Sequence, residues 1–334
     1  MKNILVTGAT GFIGNHLVNF LLKLDMRVRV LVRNSSNIST LPTGIEIHRG
    51  DLTDADSLAN LCDNIDTIFH LAGFAHAWQE NNHGFAAQHH AVNFQGTQNL
   101  VTEALRAHVQ QFIYFSSVKA VADHDTMIDE SFDQQPDSPY GIAKRHAENL
   151  LLSATQYTGM HVAILRPALV YGPGWKGNLA AMLRAIDKGY FIPVPKVTNH
   201  RSMVGIEDIC RAALLAASEP DANGKIYFVT DGVAYSTHDL YVMMNKALGK
   251  RLPRWHLPLV IFKLLAQVGD VGEKILRRRL PFSSATMSKL FGSAAYDSTR
   301  IENEIGFKPK YELAKMLPDI VATYRMEQEV ARTS

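Results

Sequence analysis

Short apolar runs alternate with segments of helical periodicity through the first half of the chain. The apolar runs are rich in Ile, Val and Phe, as buried strands are, and they lie at residues 4–6, 27–32, 45–48, 67–69, 112–115 and 162–165. Helical patterns cover residues 12–24, 54–61, 84–107 and 139–157. Because strands and helices alternate, the pattern predicts right-handed βαβ crossovers and an α/β fold with a doubly wound parallel sheet.

The alternation stops after Leu165, where Pro and Gly residues cluster between Pro167 and Pro195. Beyond this cluster the pattern predicts a strand at residues 225–229 and helices at 208–218 and 237–248. Ligands of open parallel sheets bind at the carboxyl ends of the strands. We therefore expect a sheet domain at residues 1–166, to which 200–240 returns, and a smaller substrate-binding lobe at 167–199 and 241–325.

Three glycines follow the first predicted strand, in the sequence Gly8-Ala9-Thr10-Gly11-Phe12-Ile13-Gly14. The first glycine permits a tight turn, the second lets the backbone approach a pyrophosphate, and the third lets the new helix pack closely on the strand. Free N–H groups and the helix dipole then favour phosphate. The sequence therefore predicts a Rossmann domain that binds a dinucleotide at Gly8, Thr10, Gly11, Phe12, Ile13 and Gly14.

Arg33 follows the second predicted strand, where a carboxylate would bond the adenosine ribose of NAD. An arginine can hold the 2′-phosphate of NADP, so Arg33 favours NADP over NAD. Alternatively, Arg33 is a solvated loop residue, because Ser35 and Ser36 offer neutral ribose partners. Further cofactor contacts are expected after the third and fourth strands, from Asp51 and Leu52 at the adenine and from Leu71, Ala72 and Gly73 towards the nicotinamide.

Tyr140 and Lys144 lie one helical turn apart in a predicted helix. A lysine ammonium beside a tyrosine favours the phenolate, so Lys144 should lower the pKa of Tyr140 and let it relay a proton. Ser117 follows the strand at 112–115 and could bond the substrate oxygen. These three residues are the expected catalytic group.

A second Tyr-Lys pair has the same spacing. It consists of Tyr311 and Lys315, and Ser288 precedes it at the matching interval. Ser288 falls in an irregular, Ser-rich stretch instead of ending a strand, so we interpret this second pair as surface packing.

Several of these residues occur in one order along the chain: the glycine turn, Asp51-Leu52, His70-Leu71-Ala72, Asn93, Ser117, Tyr140 with Lys144, and Arg166-Pro167. This ordered set resembles the extended short-chain dehydrogenase/reductase family, in its NAD-dependent epimerase/dehydratase branch, and the resemblance covers the whole chain. The resemblance implies oxidation or reduction at C4 of a nucleotide-linked sugar, and a homodimer.

The resemblance also implies roles for single residues. Tyr140 would be the acid/base, Lys144 would position the ribose and tune Tyr140, and Ser117 would orient the sugar oxygen. Asn93 would support the site, and Pro167 would lie near the nicotinamide amide.

Two residues are candidates for binding the nucleotide-sugar diphosphate. The resemblance implies Asn178, which opens a helix after a Gly/Pro loop, and Arg201, whose forked guanidinium suits phosphate oxygens. Alternatively, Asn178 is a helix cap and Arg201 pairs with Glu207 or Asp208.

Two departures from the family pattern follow Ser117. Sugar 4,6-dehydratases carry an Asp-Glu pair where this chain has Val118 and Lys119, which argues against a dehydratase. The Val-Tyr-Gly of many sugar 4-epimerases is replaced by residues 120–122, Ala-Val-Ala.

The expected function is a UDP-sugar 4-epimerase of the UDP-glucose or UDP-N-acetylglucosamine type, acting through a 4-keto intermediate. One alternative is an NADPH-dependent reductase of a UDP-4-keto sugar, which Arg33 supports. Two more are a steroid- or flavonoid-type dehydrogenase/reductase and a non-catalytic, nucleotide-sensing regulator. The complete set of Ser117, Tyr140 and Lys144 disfavours the regulator.

Composition narrows the class of protein further. The 334 residues include 34 Lys and Arg against 32 Asp and Glu, so the net charge of +2 predicts no nucleic-acid partner. Cys62 and Cys210 cannot build a disulfide framework. We interpret the histidines at 83, 89, 90 and 124 as polar residues and expect no metal site. The first apolar run is too short for a signal peptide or a membrane span, so we expect a cytoplasmic protein.

The segment from Trp255 to Ala266 is apolar, and Arg277, Arg278 and Arg279 follow it. This pattern fits an amphipathic helix on an anionic membrane surface. A lid or core helix with a solvated basic end fits it better. Peripheral membrane contact is therefore an alternative that the sequence does not favour.

Overall fold

The structure is a computed structural model that describes residues 2–75, 83–253, 255–276 and 283–333. Its strands are β1 (Asn3–Thr7), β2 (Arg27–Val32), β3 (Glu46–Arg49), β4 (Thr67–His70), β5 (Gln111–Phe115), β6 (His161–Pro167), β7 (Leu169–Tyr171), β8 (Arg201–Gly205), β9 (Lys225–Val229) and β10 (Ala234–Tyr235). Seven of them form one parallel sheet in the order β3-β2-β1-β4-β5-β6-β9. This is the Rossmann-type sheet that the alternating pattern predicts.

Helices cover both faces of this sheet. They are α1 (Phe12–Leu22), α2 (His83–His89), α3 (Gly96–Arg106), α4 (Pro139–Thr158), α5 (Asn178–Asp187), α6 (Ile206–Ser218), α7 (Thr237–Ala247), α8 (Leu259–Leu276), α9 (Ser284–Phe291), α10 (Thr299–Ile305) and α11 (Leu313–Thr333). Successive strand residues face opposite sides, so Ile4 and Val6 pack in one buried cluster with α1 and α6, whereas Leu5 packs in another with α3 and α4.

The parallel register brings the carboxyl ends of the central strands to one edge. Thr7 of β1 lies beside His70 of β4, which lies beside Tyr114 of β5, which lies beside Ile164 of β6. Residues that follow these strands, and the first turns of the helices after them, therefore meet at the same edge.

Two predicted helices differ in the structure. The helix expected at 54–61 is a single 3₁₀ turn at Asp56–Leu58, in which only Leu58 is buried. The helix expected at 84–107 is α2 and α3 joined by a turn of π-helix at His90–Gln95. A π turn adds a residue to the helical ladder and is frequent at functional sites.

The region from 200 to 240 is divided between two sheets. Strand β9 pairs with β6 and extends the main sheet, and α6 packs on the same face as α1. Strands β8 and β10 instead join β7 in a second sheet of three strands. The domain boundaries given above stay a prediction.

Buried polar contacts attach the carboxyl-terminal segment to this framework. The carboxylate of Asp208, which is fully buried in α6, accepts hydrogen bonds from the backbone N–H groups of Lys310 and Tyr311 and pairs with Arg211. The hydroxyl of Tyr171, in β7, lies within hydrogen-bond distance of both the Asp231 carboxylate and the carbonyl of Tyr311. Helix α11 therefore begins at a defined place on α6 and β7.

Helix α8 begins at Leu259, four residues after Trp255, and packs against α9 through the rings of Phe262 and Phe291. Within the described ranges, no helix combines the length and the apolar character that a membrane crossing requires. The arginines at 277–279 lie outside the described residues.

Candidate active site

The glycine turn between β1 and α1 has no room for side chains at two of its positions. Gly8 has φ +75°, and a Cβ there would lie 2.7 Å from the backbone nitrogen of Ala72. A Cβ at Gly14 would lie 2.2 Å from the carbonyl oxygen of Gly8. Gly11 occupies the amino-terminal cap of α1 without a capping side chain. The turn is thus a bare backbone cradle of the kind that fits a dinucleotide pyrophosphate.

Two arginines lie together at the ends of β2 and β3. Arg33 is exposed, and its carbonyl accepts a hydrogen bond from Nη1 of Arg49 at 3.3 Å. Arg49 is also exposed and ends β3 in register with Val32. The sequence analysis missed Arg49, although its place at the end of the neighbouring strand was a usable signal. This pair forms a cationic edge near the glycine turn.

Asp51 and Leu52 follow β3 as expected. The Asp51 carboxylate accepts hydrogen bonds from the backbone N–H and the hydroxyl of Thr53, at 2.9 and 2.8 Å. Leu52 is buried, and its carbonyl accepts a hydrogen bond from Asn99. The side chain of Asp51 is therefore already engaged locally by Thr53.

His70 ends β4 and is fully buried between two hydroxyls. Its ring nitrogens hydrogen-bond to Thr7 at 2.6 Å and to Thr97 at 2.9 Å. Burial and, to a lesser extent, the nearby charge of Lys144 together lower the pKa of His70 to about 3. The imidazole is therefore neutral at physiological pH and fixes the segment that leads to Leu71, Ala72 and Gly73.

Asn93, in the π turn, holds the chain just after that segment. Its Oδ1 accepts a hydrogen bond from the backbone N–H of Phe74 at 2.7 Å, and its Nδ2 donates to the Phe74 carbonyl at 2.9 Å. A Cβ on Gly73 would lie 3.0 Å from Asn93 Oδ1 and 3.6 Å from Lys144 Nζ. Gly73, Asn93 and Lys144 therefore meet at one point of the cleft.

Ser117 and Tyr140 are neighbours, and the Ser117 hydroxyl is close enough to the phenol to lower its pKa. Tyr140 is half-buried in the first turn of α4, whose amino terminus is capped by Ser138. A Cβ on the next residue, Gly141, would lie 2.2 Å from the Lys119 carbonyl. This close approach places Tyr140 next to the turn that carries Ser117.

Lys144 is buried one turn further along α4. Its Nζ donates to the Phe115 carbonyl at 2.8 Å and lies 4.6 Å from the centre of the Tyr114 ring. Burial lowers the pKa of Lys144 to about 8, against the opposing effect of Glu148. The ammonium is thus held at the end of β5.

The structure departs from one expectation about this group. Burial raises the pKa of Tyr140 above its usual value, and the Ser117 hydroxyl offsets this only in part. The Lys144 ammonium does not produce the expected lowering, because it is bonded to the Phe115 carbonyl instead of the phenol. Tyr140 is therefore a protonated phenol at neutral pH in this structure.

A buried ion pair lies beneath the three catalytic candidates. Arg166 of β6 donates from Nε and Nη2 to the two carboxylate oxygens of Glu148, at 2.9 and 2.6 Å. Ser116 donates to the same carboxylate at 2.5 Å. Arg166 and Glu148 are at most 1% exposed, so the pair is shielded from water. It joins α4 to β5 and β6, and Pro167 follows it, paired with Val229.

His89 is a neighbour of Tyr140 that the sequence analysis interpreted only as a polar residue. It is buried, its ring meets that of Tyr140 edge-on at 5.7 Å, and Nδ1 hydrogen-bonds to the Phe74 carbonyl at 3.1 Å. Its position four residues before Asn93 places both on one side of the helix. This four-residue spacing is the feature of the sequence from which His89 could have been predicted to lie near the site.

The structure does not support the helix-cap interpretation of Asn178 or the ion pair of Arg201 with Asp208. Asn178 is exposed at the start of α5, whose cap is Gly177; the alternative that Asn178 is the cap is wrong. Arg201 donates from Nη2 to the Lys289 carbonyl, whereas Asp208 pairs with Arg211. Arg201 is thus not the ion-pair partner of Asp208.

Arg201 interacts electrostatically with the segment that follows Ser117. Its pKa is lowered by burial, while Tyr296 and Asp123 favour its charged form. Asp123 in turn forms an ion pair with Lys119, two residues after Ser117. The guanidinium of Arg201 is therefore within electrostatic range of Asp123.

The second Tyr-Lys pair has other partners. The nearby Glu207 carboxylate raises the pKa of Tyr311, and Lys315 pairs with Glu312 on the surface. Ser288 lies in α9 and not in an irregular stretch, so that expectation is wrong. Over the described residues, no three His, Cys, Asp or Glu side chains come together as a metal site would require.

Fold and site together define a Rossmann-type, NAD-dependent enzyme. The chain belongs to the NAD dependent epimerase/dehydratase family, whose sequence profile matches residues 4–229. The extended short-chain dehydrogenase/reductase resemblance is thereby confirmed.

Two curated relatives match over nearly their whole length. UDP-glucose 4-epimerase of Vibrio cholerae is 31% identical over 320 residues, covering 93% of this chain and 92% of that protein. N-acetyl-alpha-D-glucosaminyl-diphospho-ditrans,octacis-undecaprenol 4-epimerase of Escherichia coli O157:H7 is 26% identical over 317 residues, covering 94% and 93%.

Solved structures share the fold. UDP-glucose 4-epimerase of Thermotoga maritima, with UDP-glucose, superposes with a TM-score of 0.79 at 23% identity, over 98% of this chain and 100% of that one. MoeE5, in complex with UDP-glucose and NAD, gives a TM-score of 0.76 at 25% identity, over 98% and 100%. Structural neighbours thus bind NAD and nucleotide sugars.

The buried His70 predicts a pH dependence of stability. Its folded-state pKa of about 3 is below the 6.5 of an exposed imidazole, so the unfolded chain binds more protons between these values. Its contribution is therefore fully present above pH 6.5 and is lost as the pH falls towards 3, at about 1.4 kcal/mol per pH unit. Urea unfolding of His70→Gln from pH 7 to 4 should show a shallower decline than wild type.

His146→Gln, at an exposed position of α4, is the control and should follow the wild-type decline. Parallel curves for His70→Gln and wild type would contradict a neutral, buried His70.

Proposed function

We propose that this protein is a nucleotide-sugar 4-epimerase that acts on a UDP-sugar of the UDP-glucose or UDP-N-acetylglucosamine type. The observation that carries the proposal is the placement of the Ser117 hydroxyl close enough to Tyr140 to lower its pKa, at the strand edge that also holds Lys144 and Gly73. The 31% identical UDP-glucose 4-epimerase supports it.

The cofactor residues fit a dinucleotide. Gly8 and Gly14 leave a cradle that a Cβ would fill, and the bare amino terminus of α1 faces it. We assign the pyrophosphate to the backbone from Gly8 to Gly14, the adenine to Asp51 and Leu52, and the nicotinamide side to Leu71, Ala72, Gly73, Asn93, Tyr140, Lys144 and Pro167. A bound nicotinamide supplies reversible oxidation at C4 of the sugar.

The protein's own groups move and hold the proton. Because its pKa is raised by burial, Tyr140 is protonated at neutral pH and is the donor to the oxygen of a 4-keto sugar. In the opposite direction only its ionised form, the phenolate, accepts the proton of the C4 hydroxyl, so this direction requires that the phenol first lose its proton. Ser117 hydrogen-bonds to the same sugar oxygen and to the phenol, and the buried Lys144 ammonium binds the ribose hydroxyls.

Arg201 and Asn178 are proposed for the diphosphate of the substrate. The guanidinium has five donors, of which the Lys289 carbonyl takes one. Its neighbours Asp123 and Lys119 are paired with each other, which leaves the cationic Arg201 to bind an anion.

A second candidate function is a one-way reductase of a 4-keto nucleotide sugar that uses NADPH. The adjacent, exposed Arg33 and Arg49 favour it, because two guanidinium groups at this strand edge suit a 2′-phosphate. An epimerase must retain its cofactor through the cycle, whereas a reductase exchanges it at each turnover.

Tyr140→Phe should lower kcat for interconversion of UDP-glucose and UDP-galactose, or of their N-acetyl forms, by about 10²- to 10⁴-fold, because the proton relay is removed. Dinucleotide binding, followed by fluorescence titration, should stay within about twofold. Tyr311→Phe, in the second Tyr-Lys pair, is the matched control and should keep full activity. A Tyr140→Phe enzyme with wild-type kcat would overturn the mechanism.

Denaturing the purified protein and separating the released nucleotides by chromatography distinguishes the two functions. An epimerase should release NAD⁺ at about one equivalent per chain, since the cofactor is retained through the cycle. A protein that releases no nucleotide but binds NADPH on titration would refute the epimerase in favour of the reductase.

Arg33→Asp should shift the ratio of NADP to NAD affinity towards NAD by about 10- to 100-fold, because a charged hydrogen bond to the 2′-phosphate is replaced by repulsion. Arg27→Asp, at the other end of β2 and likewise exposed, is the control. An unchanged affinity ratio in Arg33→Asp would make Arg33 a loop residue without a role in cofactor choice.

A further inference from the structure

Helix α8 exposes a continuous row of apolar side chains. Buried residues of α8 meet α9, but six large aliphatic residues on another side of the helix are exposed. They are Val260 (65% exposed), Ile261 (38%), Leu264 (56%), Leu265 (41%), Val268 (69%) and Val271 (57%). Contiguous apolar surface of this extent is rare on a monomer and marks an interaction site.

The helix has three separate sectors. At about 100° per residue, the six exposed aliphatic residues cover an arc of roughly 140°. Phe262, Ala266 and Gly269 occupy the buried sector that contains the α9 contact. Lys263 and Gln267 lie in an exposed polar sector on the remaining side. The apolar face is therefore additional to the face that α8 uses for its own packing.

The charge of this region points to an anionic partner. Between Lys246 and Arg279 the sequence holds nine Lys and Arg against one Asp and one Glu, whereas the whole chain is nearly neutral. Trp255, 60% exposed, precedes the helix. Basic side chains with an apolar helix face and an exposed tryptophan are the combination that binds the interface of an anionic bilayer.

We propose that α8 docks on the surface of an anionic phospholipid bilayer. The helix lies parallel to the membrane plane, with the six aliphatic residues inserted at the boundary of headgroups and acyl chains and Lys263 extended towards the lipid phosphates. An interfacial position agrees with the lack, among the described helices, of one that could cross a membrane. The docking is independent of the proposed function, because it needs no substrate or cofactor.

Co-sedimentation with vesicles tests this docking. The full-length protein should sediment with vesicles of equal phosphatidylcholine and phosphatidylglycerol, and only weakly with phosphatidylcholine alone. The double variant Leu264→Glu, Val268→Glu should lower the partition coefficient on the anionic vesicles by tenfold or more, because two inserted residues become charged. Met326→Glu, Val330→Glu, at equally exposed positions of α11 with the same spacing, should bind as wild type does.

A spectroscopic readout follows the same surface. The tryptophan emission of wild type should shift to the blue on addition of anionic vesicles, and the shift should be absent in Trp255→Phe and in Leu264→Glu, Val268→Glu. Circular dichroism and epimerase activity without vesicles should be unchanged in these variants, which separates docking from folding and from the proposed function.

Three results would overturn the proposal. One is a partition coefficient that is the same for Leu264→Glu, Val268→Glu and wild type. Another is vesicle binding that both double variants lose alike. The third is a wild-type protein that binds neither kind of vesicle and has a higher molar mass in solution than the variant Leu264→Glu, Val268→Glu. In that case α8 would be an interface between two copies of the chain.

Discussion

The buried ion pair between Glu148 and Arg166 is the contact on which the site depends. It joins α4, which carries Tyr140 and Lys144, to β6, and through Ser116 to the end of β5. Removing one partner of a buried pair leaves an uncompensated charge and typically costs about 3–5 kcal/mol. A well-packed apolar pair could be equally stable, so the specific contribution of this pair is geometry. Its two hydrogen bonds allow only one position of α4 along the sheet.

The position of α4 also affects the charge of Lys144. Glu148 lies one turn after Lys144 and favours the ammonium, while burial opposes it, and the resulting pKa is about 8. On the other side of the lysine, His70 is neutral and forms hydrogen bonds to Thr7 and Thr97. Lys144 is therefore the cation between a neutral imidazole and a carboxylate already engaged by Arg166. Such an arrangement keeps the lysine available for neutral hydroxyl groups, as the proposed ribose contact requires.

Sequence alone was enough for the sheet and for the glycine turn. The strands are short, β-branched and buried, and the glycine turn has a steric requirement that the pattern expresses directly, so both were predictable. The neighbours of Tyr140 were not predictable from the sequence. His89 and the Phe115 carbonyl reach the site through the packing of α2 and α4, which no local spacing encodes. The raised pKa of Tyr140 depends on burial, and burial is a property of the assembled fold.

Helix α8 is another element whose contacts could not be predicted from the sequence. Its periodicity predicts apolar sectors, and a lid, a core helix and a membrane-surface helix share that periodicity. Only the fold shows that α9 takes the sector of Phe262 and Ala266, which leaves the sector of Leu264 and Val268 exposed. Burying those aliphatic side chains releases about 25 cal/mol for each Å² removed from water, whatever covers them. The basic excess of the sequence between Lys246 and Arg279 is the reason for proposing an anionic bilayer, whose phosphates and acyl chains suit basic and apolar side chains together.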